Sequence, residues 1–439
     1  MVSLATLSGA LLTLSPASIT LLIFACAVVL FVADVLPMGL VVFSVPLALC
    51  FCGVITPQEI FAPMVGPSIV LVVAMCVVGA ALFKTGMAAK LGETLFRCCP
   101  GERSLVFAVM LFGGVLSGFV SNTGTVAVLL PIVMGAAAVK KMSPSRLLIP
   151  LAYGATLGGN LSVIGSPGNL VAKETIEHFS NGAMSVAFFE YAKAGLPLLL
   201  AGALFLAFFG ARLVPDRPSE AAVRYAPKEG VRIGWKGWLT VVVLLTTVVG
   251  MVATDFCPSL PPMHLIACVG AALLVLFRVL TQKEAFASFD LQAVFLLSFM
   301  TPLGNALVKT GAADQIAQLV VKATGGSGAL VLTAVLWIVT WALTQVMSNT
   351  AACALFCPIG WSVATALGAD PRAVVISVLI ASSVGVCTPL AIPANMLILE
   401  PGNLRFRDFF RSGLAVSAVA FAVSLLVLPL AYPFYPMDN

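Results

Sequence analysis

The stretch Val120–Ile132 reads VSNTGTVAVLLPI, and Met347–Ile359 reads MSNTAACALFCPI. Both stretches place Ser-Asn-Thr inside a long apolar segment, and a proline, Pro131 or Pro358, follows the threonine eight positions later. Small polar residues in the middle of membrane-length apolar sequence are costly, and they usually mark a site. The two triplets therefore predict a pair of related sites in a chain that is built from two related halves.

The composition is that of a membrane protein. Of the 439 residues, 60% are hydrophobic and only 9% are charged, whereas soluble domains carry about 25% charged residues. Apolar runs of bilayer-crossing length recur along the chain, which predicts an all-α polytopic membrane protein. The chain has only two histidines, no metal-ligand spacing of cysteines and histidines, and no nucleophile–base pair, so we expect no enzyme. The net charge of +5 reflects membrane topology, and we expect no nucleic-acid partner.

The apolar segments differ in length and in interruption. The segments 104–138 and 327–366 hold the triplets and are too long for one straight crossing at about 1.5 Å per residue. We expect each to form a re-entrant hairpin: a helix, a polar turn at Ser-Asn-Thr, and a second helix that returns to the same side. Glycine and proline interrupt the spans 147–172 and 373–398. Simple spans are predicted at 17–33, 37–54, 68–88, 195–211, 237–254, 263–280, 290–308 and 412–432.

The two halves match at a nearly constant offset in residue numbering. The matched pairs include Pro37 with Pro262, Thr56 with Thr281, Glu59 with Glu284, Lys84 with Lys309, Gly158 with Gly385, and Asn169 with Asn395. Each half holds five crossings and one hairpin. Because five is odd, we expect the second half to be inverted relative to the first in the membrane.

The distribution of basic residues predicts the orientation. With both termini outside the cytoplasm, the inner loops hold 18 lysines and arginines and the outer segments hold five, which satisfies the positive-inside rule. The first hairpin then opens from the cytoplasm, the second opens from outside, and the charged segment 212–236 joins the halves in the cytoplasm. Lys84 and Lys309 lie at span ends, where we expect their side chains to extend to the interface.

Serine, asparagine and threonine suit the start of a helix at a hairpin tip, because their side chains cap helix N-termini. A helix N-terminus inside the membrane favours an anionic group such as a carboxylate. Four residues before each triplet lies another hydroxyl, Ser117 or Thr344. Neutral oxygen ligands of this kind suit Na⁺.

The interrupted spans supply a second wall to each predicted site. Proline removes a helical donor and glycine loosens the backbone, so carbonyl groups at a break become free to coordinate a cation. A single break of this type is more often an ordinary kink with small-polar packing. Breaks at matching positions in both halves, next to two polar hairpins, favour a transport site.

Acidic, basic and histidine residues are absent from the middle of every predicted span. Proton-coupled transporters generally need a titratable group within the membrane. The sequence therefore favours sodium coupling through neutral oxygens over proton coupling.

The paired Ser-Asn-Thr tips, the paired Pro-x-Asn breaks and the inverted repeat resemble the divalent anion/sodium symporter family, over nearly the whole chain. That family carries di- and tricarboxylates and sometimes sulfate. The resemblance implies a homodimer that works as an elevator, in which a transport part slides against a fixed scaffold. The scaffold would comprise 17–100 and 237–322, and the transport part 103–211 and 327–434, joined by the linker 212–236.

The resemblance also implies the site residues. One sodium site would use Ser117, Ser121, Asn122 and Gly165, and the other would use Thr344, Asn349 and the carbonyls of Met347 and Ala391. The substrate carboxylates would meet Asn122, Thr123, Asn349 and Thr350, with Ser166, Pro167 and Pro393 beside them. The family commonly has a hydroxyl residue where this chain has Ile392, so one polar substrate contact is expected to be lost.

The sequence thus predicts a multi-pass transporter of the cytoplasmic (inner) membrane that moves a small divalent anion together with two or more Na⁺ ions. We expect a C4-dicarboxylate such as succinate as the substrate. A dicarboxylate exchanger that is not coupled to sodium, a sodium/sulfate symporter and an uncoupled channel remain alternatives.

Overall fold

A computed structural model describes residues 15–33, 35–217, 234–257, 259–323 and 328–435. These residues form twenty α-helices and two short 3₁₀ segments, and none of them lies in a β-strand. The predicted all-α class is therefore confirmed. Both chain ends, and most of the linker predicted at 212–236, lie outside the described residues.

The first half contains ten α-helices. They are α1 (Pro16–Ala33), α2 (Met38–Phe51), α3 (Pro57–Phe61), α4 (Pro67–Lys84), α5 (Met87–Arg97), α6 (Glu102–Ser117), α7 (Asn122–Val139), α8 (Ser145–Gly158), α9 (Pro167–Phe179) and α10 (Ala192–Leu213). The 3₁₀ segments are Ala62–Val65 and Gly159–Leu161.

The second half contains the other ten. They are α11 (Trp235–Ala253), α12 (Met263–Leu276), α13 (Gln282–Ala287), α14 (Leu291–Lys309), α15 (Ala312–Ala323), α16 (Ala329–Thr344), α17 (Asn349–Ala366), α18 (Pro371–Ser383), α19 (Pro393–Leu399) and α20 (Phe406–Ala431).

Seven helical segments of the described chain are long and apolar enough to cross a bilayer. They are Pro16–Ala33, Pro57–Lys84, Asn122–Val139, Ala192–Gly210, Trp235–Ala253, Leu291–Lys309 and Phe406–Ala431. Four apolar helices, α2, α12, α16 and α18, are shorter. The 14 residues of α2 extend about 21 Å, less than the hydrocarbon core. The chain is a multi-span membrane protein whose described part contains both long and short apolar helices.

The helices of the two halves begin and end at corresponding residues. The first and the last residues of α2 and α12 differ by the same offset in numbering, and this also holds for α6 with α16 and for α7 with α17. Gly86 and Gly311, which correspond in the two halves, have φ values of 71° and 73°, a left-handed backbone that glycine adopts without steric cost. The repeated sequence therefore produces a repeated order of helices.

Each triplet lies where the sequence predicts a change of direction. Helix α6 ends at Ser117 and α7 begins at Asn122, while α16 ends at Thr344 and α17 begins at Asn349. The interruptions are also present, because α9 and α19 each begin at a proline, Pro167 and Pro393. Proline is favourable at the first helical position, where its missing N–H would have no partner. The helix–turn–helix units and the broken spans are thus both observed.

Lys84 and Lys309 each form an ion pair with a glutamate of the other half. Lys84 Nζ lies 2.6 Å from Glu284 Oε2, and Lys309 Nζ lies 2.8 Å from Glu59 Oε1. Each glutamate also completes a capping box with a threonine at the start of its short helix, α3 or α13. The two lysines lie at helix ends, as the sequence predicts, and each pairs with a glutamate of the other half, which the sequence did not predict.

Helices α6 and α8 pack backbone to backbone through glycines. A methyl group on Gly154 would lie 2.3 Å from the Met110 carbonyl oxygen, and one on Gly158 would lie 2.1 Å from the Gly114 carbonyl oxygen. Only residues without a side chain permit so close an approach, which fixes the first hairpin against the first broken span. This glycine seam, formed by Gly114, Gly154 and Gly158, is not repeated in the second half, because α16 has Trp341 at the position that corresponds to Gly114.

Candidate functional site

The first hairpin tip is organised around Asn122. Ser121 is the N-cap of α7, and its Oγ accepts a hydrogen bond from the Gly124 N–H at 3.2 Å. Ser117, fully buried at the end of α6, donates from Oγ to Asn122 Oδ1 at 2.6 Å. The predicted ligands Ser117 and Asn122 are therefore in direct contact, with Ser121 beside them in the chain.

The second hairpin tip has the corresponding pair. Thr344 Oγ1 lies 2.8 Å from Asn349 Oδ1 and 2.7 Å from the Ser382 carbonyl oxygen. Ser348 is the N-cap of α17, but its side chain makes no capping bond, unlike Ser121. The hydroxyl–asparagine pair is thus common to both tips, whereas the cap is made only at the first.

Each tip asparagine packs on a glycine of its own half's break. A methyl group on Gly159 would lie 2.9 Å from Asn122 Oδ1, and one on Gly385 would lie 2.8 Å from Asn349 Oδ1. These contacts make Gly159, not Gly158, the counterpart of Gly385. The sequence alignment chose the wrong glycine of an adjacent pair, because the offset between the halves is not quite constant and permits either one.

Three predicted backbone ligands have free carbonyl oxygens. Among the described residues, no N–H or O–H group donates to the carbonyl oxygens of Gly165, Met347 or Ala391. All three residues are buried. Buried backbone carbonyls are almost always paired, so three unpaired ones next to the two tips fit a cation. Neutral hydroxyl, amide and carbonyl oxygens are a donor set that suits Na⁺.

The helices that begin at predicted site residues pack across the two halves. Helix α9 packs against α17, and α19 packs against α7, so each break helix of one half lies on the returning hairpin helix of the other. The Gly168 carbonyl oxygen accepts a weak hydrogen bond from Cys353 Sγ at 3.3 Å. Cys353 lies one turn beyond Thr350 in α17. The partial positive charge at such N-termini favours an anion.

The predicted substrate residues lie at or near these N-termini. Thr123 and Thr350 are in the first turns of α7 and α17, and Pro167 and Pro393 begin α9 and α19. Ser166 is the N-cap of α9, although its side chain makes no capping bond. Ile392 takes the corresponding position before α19 and is 7% exposed, so an apolar side chain stands where the first half has a hydroxyl.

Asn160 connects the two breaks, and the sequence did not identify it as a site residue. It is fully buried in the 3₁₀ segment of the first break, and its carboxamide lies 3.0 Å from Ser383 Oγ at the second break. Gln345 is a second missed residue, because it donates from Nε2 to the Val384 carbonyl and accepts from the Cys387 N–H. Both are amides in otherwise apolar segments, which is the signal that could have identified them.

Glu174 was also missed, because α9 continues to Phe179 beyond the predicted end at residue 172. Its Oε2 accepts a hydrogen bond from Thr301 Oγ1, in the middle of α14, at 3.2 Å. It lines a cavity of about 590 Å³ that also contains His178 and His264. The predicted spans lack a central titratable group, but the contact between α9 and α14 has one.

Comparison with protein families identifies the chain. Residues 28–261 and 259–438 match the family model described as citrate transporter. The chain belongs to the citrate transporter family. This agrees with the resemblance to divalent anion/sodium symporters that the paired motifs indicate.

Three similar proteins are described as transporters. An uncharacterized transporter of Escherichia coli is 22% identical over 94% of this chain and 98% of its own length. An uncharacterized transporter of Methanocaldococcus jannaschii is 26% identical over 74% of this chain and 73% of its own length. A probable sodium/sulfate cotransporter of Chlamydomonas reinhardtii is 36% identical, but over only 25% of this chain and 13% of its own length.

Two solved transporters share the fold of this citrate transporter family member. The YdaH transporter of Alcanivorax borkumensis superposes with a TM-score of 0.61 at 17% identity, covering 94% of this chain and 97% of that one. MtrF of Neisseria gonorrhoeae superposes with a TM-score of 0.64 at 14% identity, covering 97% of both chains. At these identities the likeness concerns the arrangement of helices alone.

Proposed function

We propose that this chain is a sodium-coupled symporter of small divalent anions, with a C4-dicarboxylate such as succinate as the substrate, in the cytoplasmic membrane. The observation that carries the proposal is the doubled tip. Each tip pairs a buried hydroxyl with an asparagine, and unpaired carbonyls lie in both halves. One such arrangement would suit a structural turn, whereas two at corresponding positions suit two coupled ions.

The sodium ions would be held by neutral oxygens. The first set is Ser117, Ser121, Asn122 and the carbonyl of Gly165, and the second is Thr344, Asn349 and the carbonyls of Met347 and Ala391. None of these groups carries a charge, so each bound Na⁺ contributes its full positive charge to the region between the tips. That charge would offset the repulsion between two carboxylates brought out of water.

The substrate would bind between Asn122, Thr123, Asn349 and Thr350, close to Ser166, Pro167 and Pro393. Hydroxyls, amides and helix N-termini can hold two carboxylates without a fixed cation in the protein. The buried Ile392 removes one hydroxyl from the second half, which favours a smaller anion over a tricarboxylate that needs more polar contacts.

The inverted repeat and the elevator belong to this proposal. The ion pairs Lys84–Glu284 and Lys309–Glu59 support the inversion, because exchanging the two halves converts one pair into the other. By the positive-inside rule, the first pair would lie in the cytoplasm and the second outside. A scaffold held at both membrane surfaces would let the hairpins and broken helices move as a unit, in a homodimer with both termini outside.

Sodium/sulfate symport is the second candidate. It is favoured by the similarity to the probable sodium/sulfate cotransporter of Chlamydomonas reinhardtii, which matches a quarter of this chain at 36% identity. Sulfate is also a divalent anion and would suit the same helix N-termini. Dicarboxylate exchange without sodium is a third reading, which the neutral tip residues alone do not distinguish.

The experiment is uptake of labelled succinate into proteoliposomes, with and without an inward sodium gradient. The proposal expects uptake only with Na⁺, and strong loss of uptake in Asn122→Ala and Asn349→Ala. The control is Asn181→Gly, which changes an exposed turn residue with φ of 52°, where glycine is also favourable. Uptake that ignores Na⁺ but needs internal dicarboxylate would indicate an exchanger, and sodium-driven uptake of sulfate alone would indicate the second candidate. Unchanged uptake in both asparagine variants would refute the assigned site.

A further inference from the structure

Two buried asparagines hold the two helix breaks in the same way. Asn169 donates from Nδ2 to the carbonyl oxygens of Gly159 at 2.7 Å and Ser162 at 2.5 Å. Asn395 donates from Nδ2 to the carbonyl oxygens of Gly385 at 3.0 Å and Thr388 at 2.9 Å. One constant offset in numbering relates all three residues of the second set to those of the first. Both side chains are fully buried.

Each of these asparagines acts on a tip asparagine through one glycine. Asn169 holds Gly159, and Gly159 packs directly against Asn122 Oδ1; Asn395 holds Gly385, which packs against Asn349 Oδ1. A glycine is the only residue that fits there, since a methyl group would come within 2.9 Å of the amide oxygen in both halves. The position of each tip carboxamide therefore depends on a backbone segment that a second carboxamide holds.

The side-chain chemistry of the two residues points to their donor groups. Both N–H bonds of each Nδ2 are used, which fixes the orientation of the amide. The Oδ1 atoms of Asn169 and Asn395 are both buried and unpaired in the described structure. An unsatisfied buried acceptor is unfavourable, and it occurs at the same place in both halves. A small apolar residue at this position would avoid the unpaired oxygen and would lose only the two donated bonds. These two bonds must therefore outweigh the cost of the unpaired oxygen.

We propose that Asn169 and Asn395 are positioning residues for the two cation sites: each holds a break glycine that places the amide oxygen of its tip asparagine. The inference rests on the proposed function, since it takes Asn122 and Asn349 as sodium ligands. It assigns Asn169 to the ion bound in the first half and Asn395 to the ion bound in the second. Neither residue needs to touch the ion.

The expected effect is on sodium affinity. When the helix break is loosened, the carboxamide of the tip asparagine shifts away from the cation site. A higher sodium concentration is then needed to reach the same occupancy of that site. In Asn169→Ala and Asn395→Ala we expect the sodium concentration for half-maximal effect to rise by about tenfold or more, since each tenfold corresponds to the loss of roughly one or two hydrogen bonds. The half-maximal effect means half occupancy of the site, and at much higher sodium concentrations the melting temperatures of the variants and of the wild type rise in parallel.

The test is the melting temperature of purified protein as a function of NaCl, with choline chloride keeping the ionic strength constant. Bound sodium stabilises the folded state by RT ln(1 + c/Kd), where c is the sodium concentration, so a fit of the titration gives the sodium concentration for half-maximal binding without knowledge of the substrate. Thr156→Ala and Ser377→Ala are the matched controls. They remove buried hydroxyls from α8 and α18, and Thr156 bonds only to its own helix at Ala152. Asn169→Ser, which keeps a shorter donor, provides a milder variant if the alanine variant does not fold.

A second measurement tests the assignment to separate halves. Because Asn169 and Ser117 both act on Asn122, Asn169→Ala combined with Ser117→Ala should raise the half-maximal sodium concentration by less than the product of the single effects. Asn169→Ala combined with Thr344→Val, in the other half, should give close to the product.

The outcomes separate the inference from the proposed function. A wild-type protein whose melting temperature is the same in NaCl and choline chloride refutes sodium coupling, and the inference with it. The inference alone is refuted if both asparagine variants respond to sodium at the same half-maximal concentration as the wild type and only melt at a lower temperature throughout. A tenfold or larger rise in both variants, absent from both controls, supports it.

Discussion

Substitution of Gly158 by alanine tests whether the glycine seam between α6 and α8 positions the first hairpin. The added methyl group would lie 2.1 Å from the Gly114 carbonyl oxygen and 2.2 Å from the Gly114 Cα atom. Both are backbone atoms, so no side-chain rotation relieves the contact. Because an ordinary contact begins at 3.4 Å, α6 and α8 must move apart by more than an ångström.

That displacement reaches the site directly. Gly114 lies one turn before Ser117, whose Oγ donates to Asn122 Oδ1 at 2.6 Å. A movement of about 1 Å in a binding group can cost about 100-fold in rate, and overpacking typically costs about 1–3 kcal/mol of stability. We expect folded Gly158→Ala protein with a melting temperature several degrees lower and with sodium-dependent uptake reduced about 100-fold.

The assay is initial-rate uptake into proteoliposomes, normalised to the amount of monodisperse protein recovered. Gly210→Ala is the matched control, because its methyl group would lie 3.8 Å from the nearest heavy atom, Leu206 Cβ. That substitution should leave uptake unchanged and slightly favour the helix. Wild-type uptake in Gly158→Ala would show that the seam does not control the tip, and equal losses in both variants would show a general effect of alanine.

Three further substitutions test other parts of the molecule. Glu284→Gln removes the ion pair to Lys84. The hydrogen bond from Lys84 lowers the pKa of Glu284 from 4.5 to about 2. A lowered carboxyl pKa stabilises the fold above pH 4.5, and this contribution is lost as the pH falls towards 2. The melting temperature of the wild type should therefore fall more steeply than that of the variant between pH 5 and pH 3, and parallel curves would contradict the role of the pair. Ile392→Ser restores a hydroxyl before α19 and should lower the half-maximal succinate concentration severalfold in uptake assays; an unchanged or higher value would separate Ile392 from the substrate. Glu174→Gln keeps an acceptor for Thr301 and should retain sodium-driven uptake at all pH values. If the variant lost uptake at neutral pH as well, while wild-type protein lost it only at acid pH, the carboxyl would take part in coupling.

Much of the fold follows from the sequence because the apolar segments and their interruptions are local signals. The sequence also grouped Ser117 with Asn122 and Thr344 with Asn349, and a spacing of five residues across each turn brings hydroxyl and amide together. These predictions need only helix geometry and the chemistry of N-caps.

The features that sequence analysis missed depend on packing between distant segments. Gly158 and Gly159 are equivalent in an alignment, and only the contact of Gly159 with Asn122 distinguishes them. The ion pair Lys84–Glu284 joins residues 200 positions apart, and no local pattern signals it. Glu174 follows an apolar run and lies beyond the predicted span 147–172, because hydropathy does not show that α9 continues to Phe179.

The reciprocal ion pairs also have a consequence for biogenesis. Their partners are separated by 200 and 250 residues, so Glu59 and Lys84 emerge from the ribosome long before Glu284 and Lys309 exist. Through the synthesis of the whole first half, the Glu59 carboxylate and the Lys84 ammonium therefore lack their ion-pair partners. Both ion pairs can form only after α13 and α14 have been made, which makes them late events in assembly. A chain that stops before Glu284 would lack both pairs and would leave Lys84 without a carboxylate from the second half.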